Sequence, residues 1–430
     1  MKKVLIISYF FPPCNLTASQ RVLSWANDLN KFGYYPIIVT RKWERAISTL
    51  HDMSAGTSKN EVHEIHDNYE VYYLPYNPSL KDKIYVSKAT NIVMVFLRKV
   101  LSFIELVGQN YFNGFIPFSN FYDKADLILK TDPSIQKLVI SASPFVLFRF
   151  GHLLQLKYKS LKWIADYRDD WTTSDIINNK NGLYQFLYNI ECKSEKLWLS
   201  TASFICSVSD YYTHKISGLV NVNGFTLYNG YAEEIKPIQM GLHSDSFIMT
   251  YNGTLYATQP IECIINAFLK IVNEYRKQLM LIFHFPGLAF DSAQENRVKT
   301  LIAGYEEFFQ ISGRVPKEEV IEIQNKSDLL VMTAHTNQKG IPSSKVFEYI
   351  GLNKSFIVCP GDGDILDKLA EESGLGTVCN STESVYRFIK ERIEMKITGN
   401  QNNFHVDENR IKRFSRIHQT EILAKHLDKL

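Results

Sequence analysis

Two short segments place charged and hydroxyl side chains where an apolar strand gives way to a loop. The first is Gly340-Ile-Pro-Ser-Ser-Lys-Val-Phe-Glu-Tyr349. It follows the apolar run Asp328-Leu-Leu-Val-Met-Thr333 and precedes Ser355-Phe-Ile-Val-Cys359, so the local unit reads as strand, loop, helix, strand. In such a unit the loop lies at the carboxyl edge of a parallel sheet, where the N–H groups of the helix start point at an anion. Pro342, Ser343 and Ser344 suit a first helical turn. Lys345 in that turn opposes the helix dipole, and a neighbouring phosphate would compensate it. Glu348 falls about one turn later, able to accept hydrogen bonds from a sugar hydroxyl. An ordinary surface helix with one lysine and one glutamate fits the same spacing.

The second segment, Asp166-Tyr-Arg-Asp-Asp170, ends the strand suggested by Trp163-Ile-Ala-Asp166. Carboxylates of Asp166 and Asp169 beside the guanidinium of Arg168 could stabilise charge of either sign. A strand-end salt-bridge cluster is the alternative. Arg21 lies one turn into a helix whose start is already positive, which favours a nearby anion or else a solvent-exposed side chain. Asn252-Gly253-Thr254 follows another apolar strand, where the glycine allows the backbone close to a phosphate or simply makes a turn. Asp362-Gly-Asp364 reads as a Gly-rich turn, and His284, between Phe283 and Phe285, as a packed core residue.

Positioning these groups takes an alternation of strands and helices. Strands are expected at Val4–Ser8, Tyr35–Thr40, Glu70–Leu74, Leu138–Ser141, Trp163–Asp166, Ala202–Ser207 and Gly224–Tyr228, with a helix from about Thr17 to Phe32 stopped by Gly33. A second alternation starts at Ser246–Tyr251 and runs past Val358. Each half has the rhythm of a doubly wound parallel sheet, so the fold class is α/β. The expected domains are 1–232, a linker over 233–243, 244–400, and a helical tail over 401–430 packing back on the first domain.

A chain of 430 residues exceeds a single core, and 45% hydrophobic with 22% charged residues describes a globular protein. A net charge of +3 with no Lys/Arg block argues against a nucleic-acid partner. The six cysteines form no CxxC pair and read as reduced residues of a cytoplasmic protein. Val4–Ile7 is too short an apolar stretch for a signal peptide or a membrane span.

Several segments in order resemble the GT-B glycosyltransferases of family 4, particularly the bacterial branch that builds capsule and lipopolysaccharide O-antigen. They are Tyr9-Phe-Phe-Pro-Pro13 followed by Arg21, Ser141-Ala-Ser-Pro144, Asp166-Tyr-Arg-Asp-Asp-Trp171, Tyr228-Asn-Gly230, Tyr251-Asn-Gly-Thr-Leu-Tyr256, Gly313-Arg-Val-Pro316 and Ser344-Lys-Val-Phe-Glu-Tyr349. The resemblance implies a GT-B fold, two Rossmann-like domains facing across a cleft, and a retaining, metal-independent sugar transfer without a cofactor. The donor would be a nucleotide-sugar, a UDP-sugar first of all, held by Asn252, Gly253, Thr254, Arg314, Ser343, Ser344, Lys345 and Glu348. Asp166, Arg168 and Asp169 would be catalytic, and Pro13 and Arg21 would lie on the acceptor and phosphate side. A lipid-linked glycan would be the acceptor, at the cytoplasmic face of the inner membrane.

Two departures stand out. Many relatives carry a second glutamate near the donor sugar, where this chain has Gly340, and Arg and Lys after the first strand of the second domain, where it has Thr254 and Gln259. A nucleotide-sugar epimerase of similar architecture, or a non-catalytic nucleotide-sugar or glycan-binding partner, are the rival readings. From Lys81 to Val107 cationic and apolar residues alternate, with Asp82 and Glu105 as the acids. This stretch reads as a basic amphipathic helix for an anionic membrane surface, or as a helix packed in the core.

Overall fold

Strands of a parallel sheet are covered on both faces, so they need continuous apolar runs, and this chain's runs become two sheets. The computed structural model describes residues 1–47, 50–87, 91–174, 182–233, 245–399 and 408–430. Nearly all of the expected linker, 234–243, lies outside the described residues, as do Lys88 and residues 401–407 of the expected tail. The contacts divide the chain into one unit of Met1–Tyr228 with Thr420–Leu430 and another of Asn229–Gln419.

The first unit contains β1 (Lys2–Ser8), β2 (Tyr34–Arg41), β3 (Val62–Ile65), β4 (Glu70–Leu74), β5 (Lys137–Ala142), β6 (Lys162–Tyr167), β7 (Phe204–Ser207) and β8 (Gly224–Thr226). Their order in the sheet is β3-β4-β2-β1-β5-β6-β7-β8. Only the β3–β4 pair is antiparallel. In register, Ile6 of β1 lies between Ile38 and Val139, and all three are buried. The helix Thr17–Asp28 turns Val22, Trp25 and Ala26 into this core. Leu423, Ala424 and Leu427 from the helix Arg416–Asp428 join the same core.

The second unit contains β9 (Ser246–Thr250), β10 (Met280–Pro286), β11 (Phe309–Ser312), β12 (Leu329–Met332), β13 (Phe356–Val358) and β14 (Gly376–Val378). They form an all-parallel sheet in the order β11-β10-β9-β12-β13-β14. In each sheet the chain works outward to one edge and then returns to the middle, which leaves a switch point between β1 and β5 and another between β9 and β12. Loops at the carboxyl ends of the strands diverge there and leave room for a ligand.

The stretch expected as one basic helix is two helices, Leu80–Val86 and Ile92–Gly108. Ser79 and Asp82 cap the first reciprocally, which buries Asp82 and takes it out of the surface charge pattern. None of the residues of Ile92–Gly108 is buried, and Ile92 and Phe96 are 86% and 67% exposed. Lys81 is not a free cation: its Nζ lies 2.6 Å from Glu105 Oε1. Arg98 lies over the ring of Tyr85, leaving Lys83 and Lys99 as the exposed cations of the pair of helices.

Candidate active site

In the second unit the site grows from three glycine-bearing turns that follow β9, β10 and β11. Gly253, at φ +84°, donates its N–H to the Pro286 carbonyl at 2.7 Å. Gly287, at φ +93°, donates to the carbonyls of Ser312 and Gly313. A Cβ on Gly287 would stand 3.0 Å from the Gly253 Cα, so the two turns touch through bare backbone. Tyr251 is buried beneath them and donates its hydroxyl to the Thr254 carbonyl and to Gln259 Oε1.

Lys345 reaches this turn from the helix Ser344–Gly351, which follows β12. Its Nζ donates to the Thr254 carbonyl at 3.3 Å and lies 4.9 Å from the centre of the Tyr251 ring. A Cβ on Gly253 would come within 3.0 Å of the lysine Cε. Among the described residues no carboxylate lies within ion-pair distance of this ammonium. Burial pushes its pKa down to about 8, partly offset by the charge of Glu348. A cation in the first turn of a helix opposes the helix dipole, and partial burial adds to that cost.

The other expected donor residues fall around this centre unevenly. Asn252 and Thr254 flank Gly253, half-exposed. The helix begins at Ser344, so Pro342 lies before it instead of within its first turn, because Ser343 takes the cap position with extended backbone. The Ser343 side chain makes no capping hydrogen bond. Glu348 lies about one turn beyond Lys345, and burial raises its carboxyl. Arg314 sits on the loop after the edge strand β11, its guanidinium 3.6 Å from the centre of the Phe290 ring. Gln259 is 6% exposed and braces the turn, donating to the Thr333 carbonyl and accepting from Tyr256 N and Tyr251. As a neutral amide that braces the turn, it cannot take the part of a phosphate-binding lysine. Gly340 donates its N–H to Asp364 at 2.7 Å, and Asp362 and Asp367 accept neighbouring backbone N–H groups in the turn that follows β13. His284 is half-buried in β10, and burial lowers its pKa.

In the first unit the expected cluster separates into two parts. Asp166 is completely buried, and its carboxylate accepts from Arg21 Nη2 at 2.7 Å, Arg21 Nε at 3.2 Å and Ser141 Oγ at 2.7 Å. Arg21, 4% exposed, also donates to the carbonyls of Leu227 and Tyr228. The strand-end salt bridge, the alternative expected for Asp166, is what forms, with Arg21, expected beside an anion or in solvent, as its partner, because a carboxylate and a guanidinium that meet out of water satisfy one another's charge. Among the described residues Arg168 and Asp169 make no hydrogen bond to that pair, although Arg168 feels the charges of both its members. Asp169 is exposed, and Arg168 donates from Nε to the Ala142 carbonyl at 3.0 Å with its guanidinium 5.3 Å from the centre of the Phe10 ring. Pro13 follows Phe10 and Phe11 on the loop after β1, so it shares the carboxyl edge with Arg168 at the β1–β5 switch point.

Sequence reasoning gave Tyr251 only as part of a motif, with no role, and missed His335 at the second site. His335 Nδ1 lies 2.7 Å from Thr258 Oγ1, and burial together with the Lys345 charge holds its pKa down. Tyr251 lies just past β9 and His335 just past β12, and for His335 that place is its sequence signal.

No family model matches the chain, and no curated protein matches it. Solved structures do. A sucrose-phosphate synthase from Thermosynechococcus elongatus matches at 13% identity with a TM-score of 0.61, over 100% of this chain and 99% of that one. HepE from Anabaena, solved in complex with UDP and glucose, matches at 13% identity and a TM-score of 0.58 over the whole of both chains. A UDP-forming α,α-trehalose-phosphate synthase from Burkholderia vietnamiensis matches at 9% identity and a TM-score of 0.62, over 100% of this chain and 99% of that one. The chain has the GT-B fold. Identities this low carry the fold and nothing finer.

Proposed function

We propose that the protein is a glycosyltransferase that takes its sugar from a nucleoside diphosphate sugar bound in the second unit. The observation that carries this reading is Lys345, an unpaired, half-buried ammonium at a helix start beside the Asn252-Gly253-Thr254 turn. Lys345, the first-turn N–H groups and the bare backbone at Gly253 suit a diphosphate, with Glu348 placed for a sugar hydroxyl. A UDP-sugar is the donor we favour, since HepE, of the same fold, was solved with UDP and glucose. In the first unit, Arg168 and Asp169 face the acceptor. Sugar transfer builds negative charge on the departing diphosphate and positive charge on the sugar; the Arg168 guanidinium suits the first and the Asp169 carboxylate the second. Configuration at the sugar is retained. A panel of nucleotide-sugars tests the donor, because a ligand that binds only the folded protein raises its melting temperature. Transfer to a lipid-phosphate-linked sugar then separates a transferase from an epimerase, which converts donor alone, and from a protein that only binds.

The leaving diphosphate meets Lys345 and backbone donors, so activity is expected to survive EDTA undiminished. Loss in EDTA with recovery on adding Mg2+ or Mn2+ would overturn that reading.

The acceptor we propose is a lipid-linked glycan of bacterial surface polysaccharide, met at the cytoplasmic face of the inner membrane. The pair Leu80–Val86 and Ile92–Gly108 supports it, with Ile92, Val93 and Phe96 exposed beside Lys83 and Lys99. Each lysine near anionic lipid adds about 1 kcal/mol, screened over roughly 8 Å at physiological salt. Lys83→Glu with Lys99→Glu should release the protein from anionic vesicles and spare transfer to a short soluble acceptor. Unchanged co-sedimentation of the double variant would remove the electrostatic part of the proposal.

A further inference from the structure

The loop that follows β6 carries Arg168 and Asp169, and one helix, Gly182–Leu199, holds Trp171 and Thr172 just beyond them. Glu195 of that helix is 0% exposed. Its Oε1 accepts from the Tyr167 hydroxyl at 2.9 Å, and its Oε2 accepts from the Thr172 backbone N–H at 3.4 Å and from the Thr172 hydroxyl in a short bond. Tyr188, two turns earlier, donates its hydroxyl to the Thr172 carbonyl at 3.1 Å. Both backbone groups of Thr172 are therefore held by the same helix. The Trp171 ring stacks on Phe145 at 5.1 Å with 4° between planes, and on Trp198 at 5.7 Å.

Among the described residues no cation pairs with Glu195. A buried carboxylate without a cation is costly, and an apolar side chain would pack there more cheaply. What the carboxylate uniquely supplies is acceptor capacity for three donors that converge on it, two of them from Thr172. We propose that Glu195 is a positioning residue, which through Thr172 fixes the loop after β6 and so the presentation of Asp169. The inference rests on the role assigned to Asp169 in the transfer. Protonation would turn one acceptor oxygen into a donor, so that one of the three hydrogen bonds must reverse or be lost. Burial, with a smaller contribution from the charge of Glu191, pushes the Glu195 carboxyl up to about 7. The other titratable groups facing it are the hydroxyls of Tyr167 and Tyr188.

The test is Glu195→Gln in the full chain, whose amide cannot accept from all three donors. One lost buried hydrogen bond is worth about threefold to tenfold, so kcat at pH 8 should fall by that factor. Donor KM and the Kd for free UDP should stay within about twofold, since the nucleotide lies on the other unit. Wild-type kcat should rise with an apparent pKa near 7, and Trp171 fluorescence, isolated by subtraction of Trp171→Phe, should follow it; both steps should vanish in Glu195→Gln. Tyr188→Phe, which removes a single hydroxyl, should lower kcat and keep the step. Wild-type kcat in Glu195→Gln, or equal losses in kcat, KM and melting temperature, would overturn the proposal. Should the wild type transfer no sugar from any donor, the assigned function fails, and fluorescence alone decides the clamp. A Trp171 signal that titrates alike in wild type and Glu195→Gln sinks it. Should Glu195→Gln not fold, unchanged kcat in Tyr188→Phe does so.

Discussion

Replacing Lys345 by alanine is expected to weaken nucleotide binding about 10- to 100-fold, the worth of a hydrogen-bonded charge, and to raise donor KM by a similar factor. Because the same contact strengthens as the diphosphate departs, part of the loss appears in kcat. Two further signatures separate this lysine from a structural one. Its pKa in the free protein is depressed to about 8, and a bound diphosphate raises it, so affinity should be flat below pH 8. Above pH 8 affinity should fall about tenfold per pH unit, since the neutral amine must be protonated before it can hold the ligand. Lys345→Ala should show no such fall. The second signature is stability. A lysine whose folded pKa lies below its unfolded value of about 10.4 destabilises the fold at low pH, and that penalty fades as pH rises from about 8 to 10.4. Lys345→Met, which keeps the stem and removes the charge, is therefore expected to raise the melting temperature at pH 7 of the ligand-free protein. Calorimetric titration with UDP and a melting curve read both; tight binding by Lys345→Ala would end the assignment.

Asp169→Asn is expected to lower kcat by about 10²-fold or more with little change in nucleotide affinity. The residue belongs to the first unit, whereas the proposed diphosphate site is in the second, and its exposed carboxylate is not consumed by the Arg21–Asp166 pair. Amide replaces carboxylate at nearly constant size, so packing is unaffected and only charge is lost. Asp166→Asn should behave differently. It leaves the buried Arg21 without its anion, which costs several kcal/mol and appears as a lower melting temperature. If Asp169→Asn loses nucleotide affinity while Lys345→Ala keeps it, the roles of the two units are reversed.

The strands of both sheet centres were legible because parallel strands buried on both faces leave unbroken apolar runs, as in Val4-Leu-Ile-Ile7 and Leu329-Leu-Val-Met332. The edges were not. Val62–Ile65 is mostly exposed and carries His63 and Glu64, and Phe309–Ser312 and Gly376–Val378 are short, so none gives a run to read. Lys345 was legible through its neighbours in sequence, since helix, turn and strand are local. The Arg21–Asp166 pair was not, because the fold joins residues 145 positions apart and nothing in either neighbourhood announces the other. Glu195 was equally hidden. A glutamate in a helix that also carries Lys193 and Lys196 looks solvent-facing until the sheet that buries it is in place.

Leu423, Ala424 and Leu427 complete the core that Val4, Ile6 and Ile38 begin. The second unit is thus an insertion within the first, and a ribosome finishes all of it before releasing the residues that the first still needs. Birth order and folding order are then opposed: the part begun first must wait half-built, its last apolar face open to chaperones, while the part begun later closes ahead of it.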